Sequence, residues 1–106
     1  MVAVVARLKM QAGKEEQALA QLRQMVEAVQ ANEPGALAYI AHRSKQDPAQ
    51  IVFFELYADD DAFRAHAQTP HMQEFRNVFA QVFEAAETKV DLLDRVAGFV
   101  RTQATT

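Results

Sequence analysis

The stretch Ile51-Val52-Phe53-Phe54-Glu55-Leu56-Tyr57 decides the fold. It is β-branched and aromatic, contains no Gly or Pro, and is too short for a helix of ordinary length, so it predicts a strand. Both of its faces are apolar, with Ile51, Phe53 and Tyr57 on one side and Val52, Phe54 and Leu56 on the other. Such a strand belongs in the middle of a sheet that is covered on both sides. Glu55 is the exception within it. A carboxylate bracketed by Phe54 and Leu56 must find a partner or rise in pKa. Arg7, on another predicted strand, is the expected mate, and a buried ion pair or a rim charge is expected ahead of catalysis.

Upstream, Lys45-Gln46-Asp47-Pro48-Ala49 is a polar turn. Before it, Ala36 to Ser44 alternates Leu37, Tyr39 and Ala41 with Ala38, Ile40 and His42. The two runs predict a hairpin. Further upstream, Asn32-Glu33-Pro34-Gly35 is a stop signal for a helix from Lys14 to about Ala31. Ala18, Leu19, Leu22, Met25, Val26 and Val29 recur there at helical spacing, and Glu15 and Glu16 complement the dipole. Val2 to Met10 places Val2, Val4, Ala6, Leu8 and Met10 on one face of a first strand. Downstream, Asp59-Asp60-Asp61 supplies caps for a short helix through Ala62, Phe63 and His66. Thr69-Pro70 reads as an N-cap with proline at the first helical position. The helix it opens carries Met72, Phe75, Phe79, Val82, Phe83 and Ala86 on one face. Lys89 to Arg95 predicts the last strand, and Ala97 to Thr106 is a weakly patterned tail.

The order β-α-β-β-αα-β predicts an α+β, ferredoxin-like βαββαβ fold, an antiparallel sheet with its helices on one face. The 106 residues make one domain, with its core over about residues 2–95 and a tail over 96–106. The helices can cover only one sheet face, yet strands one and three are apolar on both. The other face is therefore expected to meet a second copy, giving a homodimer. The competing expectation is that the tail, through Val96, Phe99 and Val100, folds back over the sheet of its own chain.

Composition narrows the function classes. A net charge of −3 offers no footprint for nucleic acid or an anionic membrane. Arg7 and Lys9 interrupt the apolar N-terminal run before it could become a signal h-region or a membrane span, and no address points away from the cytoplasm. Without cysteine there is no disulfide, thiolate nucleophile or Cys-based zinc site. Glycine-rich phosphate loops, a GxSxG elbow and nucleotide fingerprints are absent, so no cofactor is expected. No metal is expected either. His66 and His71 are five apart with Pro70 between them, which is not the i, i+4 pair of a zincin, and the Asp59–Asp61 run lacks the spacing of a calcium loop.

His66 is the candidate base, because histidine titrates near neutrality and can take a proton from a phenol or enol. The bland alternative is a histidine on a helix flank bonded to a backbone carbonyl. Pro70 is expected to turn His71 away from the same face. The aromatic residues are mostly core, although some could wall a cleft for a flat substrate.

Glu33-Pro34-Gly35 leading into Tyr39, Phe54-Glu55-Leu56-Tyr57, and Ala62-Phe63-Arg64-Ala65-His66 followed by Thr69-Pro70-His71 and Phe75 resemble the antibiotic-biosynthesis-monooxygenase family over about Val2 to Leu93. The resemblance implies a dimeric α+β barrel. In the quinol-oxygenase branch it also implies reaction of molecular oxygen with a phenolic, quinol or polyketide-like aromatic substrate, without metal or cofactor. Haem-degrading relatives rely on a tryptophan, which this chain lacks. On this reading His66 is catalytic, and Tyr39, Tyr57, Phe75 and His71 contact the substrate. Two other functions fit the same residues: an isomerase or degradative enzyme acting on a small hydroxy-ketone, and a small-molecule binding protein without catalysis.

Overall fold

The computed structural model describes residues 1–101. Its elements are β1 (Val2–Lys9), α1 (Glu15–Asn32), β2 (Ala36–Arg43), β3 (Gln50–Tyr57), α2 (Asp60–Ala67), α3 (Pro70–Val82), a 3-10 turn (Ala85–Glu87) and β4 (Lys89–Asp94). The four strands form one antiparallel sheet in the order β2-β3-β1-β4, the ferredoxin-like arrangement. Met10, expected within β1, instead forms an isolated bridge to Phe83, and Phe83 and Ala86 fall beyond the end of α3.

Local chemistry explains where the elements begin. Asp59 Oδ1 accepts from the Ala62 amide at 2.8 Å and starts α2. Thr69 Oγ1 accepts from the Met72 amide at 3.1 Å and starts α3, where Pro70 lacks the N–H that would otherwise be orphaned. Gly13, at φ 82°, makes the turn into α1 that a side chain would strain. Gly35 has a different reason to be glycine. A Cβ there would lie 2.6 Å from the Ala62 Cβ, so the start of β2 can approach α2 this closely only without a side chain.

Register sorts the side chains. Val4, Ala6 and Leu8 of β1 stand beside Glu55, Phe53 and Ile51 of β3, and Tyr39 of β2 stands opposite Glu55. This face packs against Ala18, Leu22, Met25 and Val29 of α1 and against Val82 and Phe83. The helices do not reach the β4 edge. Val90 and Leu92, in register with Ala6 and Val4, remain more than half exposed. The outer face carries Val5, Val52, Phe54 and Ile40.

Two expectations fail here. Arg7 does not reach Glu55: β1 alternation turns it to the outer face, where its guanidinium meets Asp91 at 3.0 Å. The tail does not fold back over the sheet within the described residues, since Val96 is 96% and Phe99 77% exposed. Residues 102–106 of the expected tail lie outside the described residues.

Candidate active site

The helices stop short of β4, so a cleft of about 380 Å³ opens between α2 and α3 above and β1, β3 and β4 below. Its walls are mainly apolar, from Ala6, Leu8, Phe53, Phe63, Met72, Phe75 and Phe79. Into them are set His66, Glu55 and Tyr39, with Arg76 at the α3 side and Thr88 at the start of β4. An apolar hollow with a few convergent polar groups is the usual form of a small-molecule site. A larger groove of about 490 Å³ runs between α1 and β2, but beyond Tyr39, which it shares with the cleft, its polar lining is Arg23, Glu27, His42 and Arg43, and the His42 and Arg43 side chains bond to backbone carbonyls. The cleft is the better candidate.

His66 lies on α2 and is buried. Its Nδ1 is 2.9 and 3.1 Å from the two carboxylate oxygens of Glu33, not bonded to a backbone carbonyl. A carboxylate only accepts, so Nδ1 carries the proton that Glu33 holds, and in the neutral ring Nε2 is then the acceptor. The ring stands between two tyrosines, 5.5 Å from Tyr39 and 5.3 Å from Tyr57 between centroids. Thr69 ties the end of α2 by donating its hydroxyl to the His66 carbonyl at 2.9 Å.

Glu33 is the residue that sequence reasoning missed. It caps α1, its amide donating to the Val29 carbonyl, and it stands one residue before Pro34 in the turn into β2. Its carboxylate, 8% exposed, also takes His71 Nε2 at 2.5 Å. One acid therefore holds a histidine from α2 and another from α3. Pro70 does not separate the two histidines as expected, because it opens α3 at an angle that brings His71 back to Glu33. His71 itself faces the groove between α1 and α3, with Met25, Ala28 and Phe75, and does not line the cleft. The Glu33-Pro34-Gly35 run was visible as a helix stop. Its second use depends on a contact 33 residues away in sequence.

The other expected site residues divide. Tyr39 and Phe75 line the cleft. Tyr57 lies outside its lining, fully buried against Phe63 and His66, and donates its hydroxyl to Glu55 Oε1 at 2.6 Å. Burial pushes the Tyr39 phenol up, with the Glu55 and Glu33 charges adding to the effect. Tyr57 is raised first by burial and then by its bond to Glu55. Both stay protonated at neutral pH. Burial also raises the Glu55 carboxyl, opposed by the Tyr57 hydrogen bond and by His66 and reinforced by Glu33. Among the described residues no group of three or more His, Asp or Glu is arranged to hold a metal ion, and no helix is long and apolar enough to cross a membrane.

Comparison with known proteins places this geometry in a family. No curated protein matches the chain. Solved structures do. A Caulobacter crescentus protein, provisionally named an antibiotic biosynthesis monooxygenase, is 31% identical with a TM-score of 0.84 over 91% of this chain and 90% of its own. A further structure named antibiotic biosynthesis monooxygenase is 27% identical, TM-score 0.82, over 92% of this chain and 100% of its own. A Pseudomonas aeruginosa protein is 27% identical, TM-score 0.80, over 91% and 94%. The profile of the antibiotic biosynthesis monooxygenase family matches residues 1–78, which carry β1 through most of α3 and all of Glu33, Tyr39, Glu55, His66 and His71. With that match and the shared ferredoxin-like sheet, the chain belongs to the antibiotic biosynthesis monooxygenase family.

Proposed function

We propose that this protein is a cofactor-independent monooxygenase that oxidises a phenolic or quinol substrate with molecular oxygen. The observation that carries the reading is the His66 ring: it lines an apolar cleft while its Nδ1 proton is held by Glu33, which leaves Nε2 as the proton acceptor. Family membership supports the oxygenase chemistry.

The phenolic hydroxyl gives its proton to His66 Nε2, and the imidazolium so formed is stabilised by the Glu33 carboxylate. The phenolate passes one electron to oxygen. Recombination of the radical pair at a ring carbon gives a hydroperoxide, which loses water. Phenol and O2 thus become quinone and H2O, with no external reductant. The apolar walls favour these steps by keeping water from the electron-rich anion. Phe53, Phe75 and Phe79 supply flat surfaces for an aromatic ring.

Oxygen uptake over a panel of hydroquinones and naphthols, with ¹⁸O2 incorporation, tests the proposal. His66→Ala should lower turnover by about a hundred-fold or more. Turnover that continues without oxygen would refute the oxygenase and favour proton shuttling on a hydroxy-ketone. Ligand binding without conversion would leave only a binding protein.

We also infer that the protein acts as a homodimer joined through outer sheet faces. Val5, Val52, Phe54 and Ile40 form an apolar outer surface, and the described part of the tail leaves it uncovered.

A further inference from the structure

His71 is the member of the Glu33 cluster for which the mechanism above has no use. It does not reach the cleft, and its ring faces the groove of about 230 Å³ between α1 and α3, beside Met25, Ala28 and Phe75. Yet its Nε2 lies 2.5 Å from Glu33 Oε2, the same oxygen that stands 3.1 Å from His66 Nδ1. Among the described residues, these two rings are the only groups that donate to the Glu33 carboxylate. The two histidines are also fixed relative to one another. The Thr69 hydroxyl donates to the His66 carbonyl and accepts from the Met72 amide, which joins the end of α2 to the start of α3.

A glutamate side chain turns about several bonds, so a single donor leaves its carboxylate free to swing. Two donors carried by different helices fix both its position and its plane. His66 needs that rigidity. A free imidazole ring favours the proton on Nε2, whereas a base facing the cleft through Nε2 needs it on Nδ1, and only an acceptor held against Nδ1 maintains that tautomer. His71 also lies on the solvent side of the carboxylate, 15% exposed against 8% for Glu33, and keeps water from competing for it. We propose that His71 is a positioning residue for the reaction: acting through Glu33 and touching no substrate, it locks the carboxylate against Nδ1 so that Nε2 of His66 stays the proton acceptor. The inference rests on the proposed role of His66 as base and extends the catalytic unit to a histidine on another helix. His71 keeps its own Nε2 proton throughout. The proton that moves is the substrate's, onto His66 Nε2.

Two replacements separate this role from packing. His71→Gln gives up the ring but carries an N–H donor close to where Nε2 stands, whereas His71→Phe keeps a ring beside Met25 and Phe75 and has no donor. Positioning through the hydrogen bond predicts that kcat falls about 10- to 100-fold in His71→Phe. KM should stay within about twofold, because His71 stands outside the cleft, and His71→Gln should hold kcat within about threefold of the parent. A packing role alone would reverse the order of the two variants and overturn the inference. ¹⁵N spectra of the imidazole rings, recorded where both rings are neutral, read the tautomers without any substrate. In the unaltered protein His66 should carry its proton on Nδ1 and His71 on Nε2, and in His71→Phe a share of His66 should revert to the Nε2 proton. A bare His71 Nε2 in the unaltered protein would overturn the inference whether or not either variant folds. So would a folded His71→Phe that keeps the His66 tautomer and the parent turnover. Absent oxygen uptake by the unaltered chain, alongside the tautomer change in His71→Phe, would remove the oxygenase reading and leave His71 as the positioning residue of a base that acts on another substrate.

Discussion

Replacing Glu33 by Ala should strike stability and activity together, and the structure says by how much. The carboxylate is 8% exposed and accepts from His66 Nδ1 at 2.9 Å and His71 Nε2 at 2.5 Å, with those side chains 7% and 15% exposed. Truncation leaves two nearly buried ring N–H groups without an acceptor. Each such group costs about 1–3 kcal/mol, and His71, nearer to water, recovers part of its share. The sum is about 2–4 kcal/mol, out of about 5–15 kcal/mol for a domain, so the variant should still fold. With 1 kcal/mol worth about 4–8 °C in a domain near this size, the melting temperature should drop by about 10–25 °C. Glu33→Gln separates the two roles. It keeps the volume and offers one acceptor, so it should be the more stable variant. Its amide N–H₂ can face Nδ1, which would drive the His66 proton to Nε2 and abolish the base. Turnover should then fall by about 10²–10⁴-fold with a smaller loss of stability. Urea unfolding and oxygen-uptake kinetics on both variants measure these effects. If Glu33→Ala stays within about 1 kcal/mol of the parent, or Glu33→Gln retains full turnover, the clamp does not position His66 and the reasoning is wrong.

The remaining predictions concern other parts of the fold. The Glu55 carboxyl is raised in the folded state, so between its ordinary value near 4.5 and its folded value the native protein holds more protons than the unfolded chain. Stability from this group is therefore fully present below that ordinary value and is lost as pH rises through the folded value. The melting temperature of Glu55→Gln should accordingly gain on the parent as pH rises, and parallel curves would contradict this. Gly35→Ala puts a methyl 2.6 Å from the Ala62 Cβ and should cost about 1–3 kcal/mol in denaturant unfolding, because both backbones must move apart. Phe54→Asp, on the outer face, should give a folded monomer by light scattering. An unmodified protein that is already monomeric at micromolar concentration would remove the proposed dimer.

The elements could be read from the sequence because their signals are local. The alternating run Val2–Met10, the β-branched and aromatic run Ile51–Tyr57, the helical stripe of Ala18, Leu22, Met25 and Val29, and the caps Asp59 and Thr69 each involve residues within a few positions of one another. Their order then leaves few topologies, and the ferredoxin-like sheet follows. His66 stood out as a titratable group near a helix start, and Tyr39 and Phe75 as aromatic residues flanking it. What these residues bond to was not legible, because a charge partner is chosen by packing and not by spacing. Arg7 and Glu55 looked complementary on neighbouring strands, yet the alternation of β1 against β3 places them on opposite faces, and each finds a different partner. His71 looked isolated by Pro70, yet the angle between α2 and α3 returns it to Glu33. Glu33 read as part of a helix stop and of a family-like segment but not as a site residue, since nothing in its neighbourhood shows that the turn it occupies lies against two helices more than thirty residues away. The sequence by itself therefore determined the secondary elements, their order and the apolar character of both sheet faces, all consequences of short-range periodicity. Only the tertiary structure decided which acid meets which histidine, which tyrosine meets Glu55 and where the cleft opens, because these depend on helix placement over the sheet and on the β4 edge that the helices leave bare.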